Sequence, residues 1–244
     1  MPRPETRRAL DAYWASVFGC DPGGLRPSAP SVLPRPADDG SRGIYAMEFG
    51  AAPVALLPAG LMDRHAPQVA GALAAGLGGG AEPWRGIFGE RVEAVIGPAT
   101  VRYAEEQSFR PLPFAAAARL LTGGDLHAVE ALRRACPAAE WEHGGSDPFH
   151  DVTAGVFMDD ELAALAGYGV WGGVIAHVSI VAHPAHRGRG HAAAAVSRVT
   201  EEALRRGLIA QYRTLESNAP SVALAERLGF RPYARSVAVR LRGG

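Results

Sequence analysis

The sequence contains no lysine: all 25 residues counted as lysine or arginine are arginines. It therefore has neither the side-chain amine that Schiff-base chemistry needs nor the lysine of a phosphate-binding Walker loop. The 25 acidic side chains balance the arginines, so the formal net charge is zero. A neutral chain argues against a general nucleic-acid binder and against a basic membrane-surface protein.

Cysteine and long apolar runs are also scarce. Cys20 and Cys136 are far apart, which argues against a disulfide scaffold and against a thiolate zinc site. The N-terminus, MPRPETRRALDAYW, lacks the apolar core of a signal peptide. No apolar stretch reaches the ~18–20 residues that a membrane-spanning helix needs. We therefore expect a soluble, cytoplasmic protein with no membrane partner.

The 244 residues are enough for one large domain or two ordinary ones. Apolar periodicity and turn residues predict helices and strands in both halves. The predicted helices are 5–18, 62–77, 84–92, 126–136, 188–206 and 220–228. The predicted strands are 44–49, 53–57, 94–103, 152–158, 162–168, 174–182, 209–215 and 236–241.

A proline-containing segment at 108–116 reads as a linker between two domains. We expect a smaller N-terminal α+β domain over residues 1–110 and an α/β domain over residues 115–244. The N-terminal half carries no chemical motif, and we interpret it either as a degenerate copy of the second fold or as a lid over the acceptor site.

The most informative segment is a strand that leads through a glycine-rich turn, His183 to Ala192, directly into a helix. The first amide groups of a helix lack intrahelical acceptors, and together with the helix dipole they suit a diphosphate. Glycine is needed because a Cβ atom would hold the phosphate away from the backbone. The turn does not fit G-x-G-x-x-G, since Ala193 stands three residues after Gly190.

Two motifs in this half resemble those of the GNAT superfamily of N-acetyltransferases. The run Arg187-Gly188-Arg189-Gly190-His191-Ala192 is similar to the R-x-x-G-x-A signature between the family's fourth strand and third helix. Asn218-Ala219-Pro220-Ser221, followed by Leu228-Gly229-Phe230, resembles the downstream N-x-x-S and L-G-F segments. The resemblance covers roughly residues 115–242 and implies the GNAT fold, a mixed, splayed sheet flanked by helices.

The resemblance implies acetyl-CoA as co-substrate, with the turn amides on its pyrophosphate and the preceding strand paired with its pantetheine arm. Asn218 and Ser221 would reach the coenzyme from the next helix, although both residues also suit a helix cap. The implied coenzyme-binding residues are Ile180, Val181, Ala182, Arg187, Gly188, Arg189, Gly190, His191, Ala192, Ala193, Asn218 and Ser221.

The catalytic groups depart from the family pattern. Ala225 stands where many members carry a tyrosine as general acid, and no carboxylate lies near Val174, where some members carry a base. We consider His177 a candidate base, with a packed strand histidine as the alternative, and Tyr212 or Tyr233 a candidate acid.

A further candidate segment, Glu140-Trp141-Glu142, corresponds to the family's acceptor loop. Trp141 would stack on the acceptor, and Glu142 would attract or deprotonate an amine. The alternative is a solvated helix end with the tryptophan in the core.

Charge divides the second half of the chain. Residues 125–161 carry nine acidic side chains and two arginines, a net charge of −7, and residues 187–244 carry eleven arginines and four glutamates, a net of +7. The positive region suits an anionic coenzyme and the negative one a cationic amine, although the two surfaces also suit mutual neutralisation. The clustered histidines match no standard metal-site spacing, so we expect no metal.

We therefore predict an acetyl-CoA-dependent N-acetyltransferase that transfers acetyl to a primary amine of a small molecule. We expect a monomer or homodimer without a nucleic-acid partner. Two alternatives stay open: a non-catalytic acyl-CoA-sensing module of the same fold, and an acyltransferase that uses a longer acyl-CoA.

Overall fold

A computed structural model describes residues 2–35, 43–77, 80–113, 115–144 and 151–242. The helices are α1 (Pro4–Phe18), α2 (Met62–Ala74), α3 (Glu82–Phe88), α4 (Leu126–Ala135), α5 (Ala138–Gly144), α6 (His191–Arg205) and α7 (Ala219–Arg227). The strands are β1 (Ser31–Arg35), β2 (Ile44–Glu48), β3 (Pro53–Pro58), β4 (Val92–Ala104), β5 (Ala118–Leu120), β6 (Val152–Met158), β7 (Glu161–Trp171), β8 (Ile175–Ala182), β9 (Ile209–Leu215) and β10 (Arg231–Leu241).

The chain forms two compact units, each assembled from separate stretches of sequence. The first unit combines residues 1–102 with 213–222 and 232–244. The second combines residues 103–212 with 223–231. The predicted domain limits, 1–110 and 115–244, stay a prediction.

The second unit is built on a mixed sheet in the order β9-β8-β7-β6-β5. Strands β5 to β8 pair antiparallel, whereas β8 and β9 pair in parallel. Helix α6 packs small side chains such as Ala194 and Val196 into the core on one face of this sheet. On the other face Leu132 of α4 packs with Leu165 and Val181. The predicted α/β class with a mixed sheet between helices is confirmed.

The first unit contains strands in the order β1-β3-β2-β10-β4. Strand β1 pairs in parallel with β3, and β2 pairs antiparallel with both β3 and β10. Helices α2 and α3 cover one apolar cluster, which includes Leu73 and Trp84. Helix α1 contributes Trp14 and Phe18 to ring contacts with Tyr45 and Phe49. This unit therefore combines helices and strands, as expected for the N-terminal half.

The two strands predicted at 152–158 and 162–168 form a hairpin, β6 and β7, joined by a two-residue turn. Asp159 and Asp160 both adopt left-handed conformations, with φ of 48° and 66°. A turn with two positive φ angles matches the twist of the strands that it joins. The turn places Met158 opposite Glu161, and a register shift between Val156 and Phe157 then brings Val152 opposite Tyr168.

Helix α6 begins later than predicted. The sequence predicts a helix from Gly188, whereas the structure begins it at His191. Gly188 and Gly190 have φ of +76° and +86°, which a right-handed helix does not permit. The three residues before His191 therefore belong to the turn, and their amides lie outside the helix.

Candidate active site

The turn between β8 and α6 brings a row of backbone amides together. A single helical turn at Pro184–His186 follows β8, and the positive φ angles of Gly188 and Gly190 then direct the chain into α6. Only glycine adopts these angles without steric cost, which explains why the motif has glycine at both places.

The amides of this turn have no acceptor among the described residues of the chain. The first hydrogen bond of α6 runs from the Ala194 N–H to the Gly190 carbonyl. No side chain caps the helix start, and no acidic residue stands in its first turn. Within the described part of the chain, no protein acceptor bonds the N–H groups of residues 187–193. Helix α6 has 15 residues, and unbonded donors at the positive end of a helix suit an anion.

The side chain of Arg187 is engaged on the protein itself. Its guanidinium donates to the Ala182 carbonyl, at 3.3 Å from both Nε and Nη2, and forms an ion pair with Glu140 of α5. Arg187 therefore links the end of β8 to α5, and only its backbone remains among the turn donors. Arg189 and Gly188 are exposed, whereas His191 is half-buried.

Strands β8 and β9 stop pairing before either strand ends. Their parallel ladder ends at Val178 and Tyr212, although β8 continues to Ala182. On its other edge β8 stays paired with β7 through Ala182. His183 then donates its N–H to Ala163 on the β7 side, so the Ala182 carbonyl points to the opposite edge. The Ala182 carbonyl itself accepts from Arg187, so this edge can offer an extended ligand only its other backbone groups before the turn.

The candidate catalytic residues lie on three elements. His177 stands on β8 directly opposite Gln211 of β9, and its Nδ1 lies 2.6 Å from Gln211 Oε1. Tyr212 is the next residue of β9, so its side chain is on the opposite face of the sheet, where it packs against Phe230 and is 2% exposed. Glu142 is exposed on α5.

The tryptophan of the predicted acceptor segment also lies on α5. Trp141 is half-buried and packs against the apolar cluster beneath α4. Gly144, at the end of the same helix, approaches Val181 and the Ile180 carbonyl so closely that a Cβ would collide with them. Helix α5 thus lies against β8, and the side chain of its residue Glu142 is exposed to solvent.

The sequence did not indicate Gln211 and Trp171, which contact His177, or Tyr103, which is bonded to Gln211. The Trp171 ring stacks on the imidazole with centroids 4.0 Å apart, and Gln211 donates from Nε2 to the Tyr103 hydroxyl. The one available signal was a glutamine in the otherwise apolar start of β9, since a polar side chain in a buried strand needs partners.

A model of the acetyltransferase (GNAT) family matches residues 126–230, somewhat less than half of the chain. Residues 126–230 are a GNAT-family acetyltransferase domain. The predicted resemblance is therefore confirmed, and acetyl-CoA is the acetyl donor of this family. A comparison with curated proteins gives no match.

Several solved structures are similar to this chain over part of its length. One is a GNAT-family structure from Novosphingobium aromaticivorans, 26% identical, covering 63% of this chain and 68% of that one, with a TM-score of 0.49. A GCN5-related N-acetyltransferase from Kribbella flavida is 18% identical over 62% of this chain and 60% of its own, with a TM-score of 0.47. An aminoglycoside N-acetyltransferase in complex with CoA is 19% identical over 48% and 92%, with a TM-score of 0.37.

The second motif of the GNAT domain caps a helix. Asn218 Oδ1 accepts a hydrogen bond from the Ser221 N–H at 3.2 Å, and the Asn218 carbonyl accepts from the Val222 N–H. Asn218 is therefore the N-cap of α7. Both residues belong to the first compact unit, and their contact with the coenzyme stays a prediction.

Three metal-capable side chains meet beside the GNAT turn. Ligand atoms of Glu161, His183 and His186 lie within 4.8 Å of one another. His186 Nε2 lies 2.7 Å from Glu161, and this bond lowers the Glu161 pKa, while His183 Nδ1 accepts from the Ala185 N–H. An imidazole that accepts at Nδ1 carries its proton on Nε2, and His183 Nε2 lies 3.7 Å from Glu161 Oε1, beyond hydrogen-bond distance.

The pKa of His191, the first residue of α6, lies below its usual value. Burial is the main cause, and His186 and Arg189 lower it further. A lowered pKa favours the neutral form of the ring, so the positively charged side chains of the turn are Arg187 and Arg189.

No helix in the described ranges has the length and apolar character that would allow it to span a bilayer.

Proposed function

We propose that this protein is an acetyl-CoA-dependent N-acetyltransferase that acetylates a primary amine of a small molecule. The observation that carries the proposal is the row of backbone amides at residues 187–193, which lacks protein acceptors in the described structure. These donors bind the coenzyme pyrophosphate, and the edge of β8 beyond its pairing with β9, at Ile180–Ala182, pairs with the pantetheine arm through backbone groups other than the Ala182 carbonyl, which Arg187 occupies.

The reaction is a direct attack within a ternary complex. The amine nitrogen attacks the thioester carbon, the new C–N bond forms as the C–S bond breaks, and coenzyme A leaves as the thiolate. An ammonium substrate must first give up a proton, and the product amide loses a second one, which goes to the thiolate or to solvent.

We assign the role of general base to His177. This half-buried imidazole lies one residue before Val178, where the pairing of β8 with β9 ends. We propose no proton transfer for Tyr212, since it lies in the core against Phe230. The exposed Glu142 and the adjacent Trp141 on α5 are proposed to attract and contact the acceptor. Glu142 carries a charge opposite to that of an ammonium, which favours a cationic acceptor.

Gly190 provides the direct test of coenzyme binding. Gly190→Ala places a methyl group within the amide row, so we expect acetyl-CoA to bind at least about tenfold more weakly by calorimetry. The matched control is Gly207→Ala, because Gly207 follows the other end of α6 with a similar φ of +74° and has no atom within 4 Å of its Cβ position. Unchanged binding by Gly190→Ala would contradict the phosphate-turn assignment.

Turnover separates the enzyme from a sensing module. A bound coenzyme stabilises either one, by about 2.7 kcal/mol at a hundredfold excess over Kd. Only an enzyme releases free thiol from acetyl-CoA when it is offered aminoglycosides, polyamines and amine metabolites in turn. Binding without thiol release from any amine would favour the sensing module, and faster release from longer acyl-CoA donors would favour the acyltransferase alternative.

A further inference from the structure

A hydrogen-bonded chain of three side chains lies in the second compact unit, where β8 and β9 are paired. His177 Nδ1 lies 2.6 Å from Gln211 Oε1, and Gln211 Nε2 lies 2.6 Å from the Tyr103 hydroxyl. Gln211 is 1% exposed and Tyr103 is 2% exposed. A buried amide is costly unless both of its ends are bonded, and here both ends are bonded.

The hydrogen bond to Gln211 determines which nitrogen of the His177 imidazole carries the proton. The Gln211 Oε1 atom only accepts hydrogen bonds, so the Nδ1 atom of His177 must donate. A neutral imidazole with its proton on Nδ1 carries its lone pair on Nε2. The reversed amide, with Nε2 towards His177 and Oε1 towards Tyr103, would put the proton on Nε2 instead, and the experiment below distinguishes the two.

The ring plane is fixed as well as the tautomer. Trp171 stacks on the His177 ring with centroids 4.0 Å apart and planes inclined by 19°. The hydrogen bond to Gln211 fixes one atom of the ring, and the stack restricts the tilt of its plane. An aromatic face also stabilises a neighbouring cation, which favours the imidazolium that forms when the ring takes a proton.

We propose that Gln211, supported by Tyr103, is a positioning residue that holds His177 in the tautomer with Nε2 as its proton-accepting atom. The inference rests on the proposed function, since it names how the proposed base is prepared. Gln211 touches neither substrate nor coenzyme in this scheme, and it acts only through His177.

The tautomer is measured directly by two-bond 1H–15N correlation spectra of the full chain, with His177→Gln used to assign the signals. We expect Nδ1–H in the wild-type protein and a shift towards Nε2–H in Gln211→Leu, which has a similar volume but no acceptor. Gln211→Glu restores an acceptor at Nδ1 and should restore the wild-type tautomer. Unchanged circular dichroism confirms that each variant folds.

Steady-state kinetics provide a second test, with the amine that the substrate panel identifies as the acceptor. We expect Gln211→Leu to lower kcat at least about tenfold with the KM for acetyl-CoA unchanged, and Gln211→Glu to recover part of kcat. Nε2–H in the wild-type protein, or a wild-type kcat in Gln211→Leu, would overturn the inference. If no amine is acetylated, the proposed function fails, while the tautomer spectra still decide whether Gln211 positions the ring.

Discussion

Gly229, in the Leu228-Gly229-Phe230 segment, gives a prediction whose size can be worked out from the structure. Its φ is +82°, and a Cβ at this place would overlap the carbonyl oxygen of Ser108 and lie 2.9 Å from the carbonyl carbon. Ser108 is held in place because its hydroxyl bonds both backbone groups of Glu105. Gly229→Ala therefore forces backbone to move against backbone.

The magnitude has two parts. A left-handed conformation costs a residue with a Cβ roughly 1–2 kcal/mol. Overpacking a close contact adds about 1–3 kcal/mol. Gly207→Ala incurs only the first part, because Gly207 has a φ of +74° and nothing within 4 Å of its Cβ position. We expect the free energy of unfolding to fall by about 2–5 kcal/mol in Gly229→Ala and by about 1–2 kcal/mol in Gly207→Ala.

Urea unfolding followed by circular dichroism measures both variants under the same conditions. The informative quantity is the difference between them, about 1–3 kcal/mol, since the left-handed term cancels. Equal losses in the two variants would refute the reasoning, because the contact with Ser108 would then not be what requires glycine in this motif.

Two predictions concern acidic side chains of the second unit. Hydrogen bonds from Arg205 and Arg206 lower the pKa of Glu202 from 4.5 to about 2, so this stabilisation is present above pH 4.5 and lost as pH falls towards 2. Because both arginines are exposed, we expect Glu202→Gln to cost about 1 kcal/mol in urea at neutral pH and less at pH 2. Asp125 accepts from the N–H and hydroxyl of Thr122, and Asp125→Ala should lower unfolding free energy by about 1 kcal/mol in the same assay.

Local patterns predicted most of the regular elements, because helical spacing and strand alternation are readable within one segment. Strand β9 has the predicted bounds Ile209–Leu215, and β6 has the predicted bounds Val152–Met158. The missed elements are short: β5 has three residues and α5 has seven. Strand β1 contains Pro34 and pairs along one edge with β3, so its sequence looks like a loop.

The turn was predictable for the same local reason. Gly188, Gly190 and the helix that follows them are adjacent in sequence, and the need for positive φ next to free amides is a property of that short run alone. The side chain of Arg187 was not predictable, since its partner Glu140 is 47 residues away. Backbone roles can therefore be predicted from a motif, whereas side-chain roles depend on what the fold brings to it.

The surroundings of His177 show where sequence reasoning ends. Gln211 and Tyr103 are 108 residues apart, and the contact between His177 and Gln211 exists only because β8 and β9 pair in the register His177 opposite Gln211. A shift of one residue would place Tyr212 there and turn Gln211 to the other face. Periodicity indicates which face of the sheet a residue occupies, but not which residue of the neighbouring strand lies opposite it. A lone glutamine in a buried strand therefore predicts a polar partner, and the pairing register decides that the partner is the proposed base.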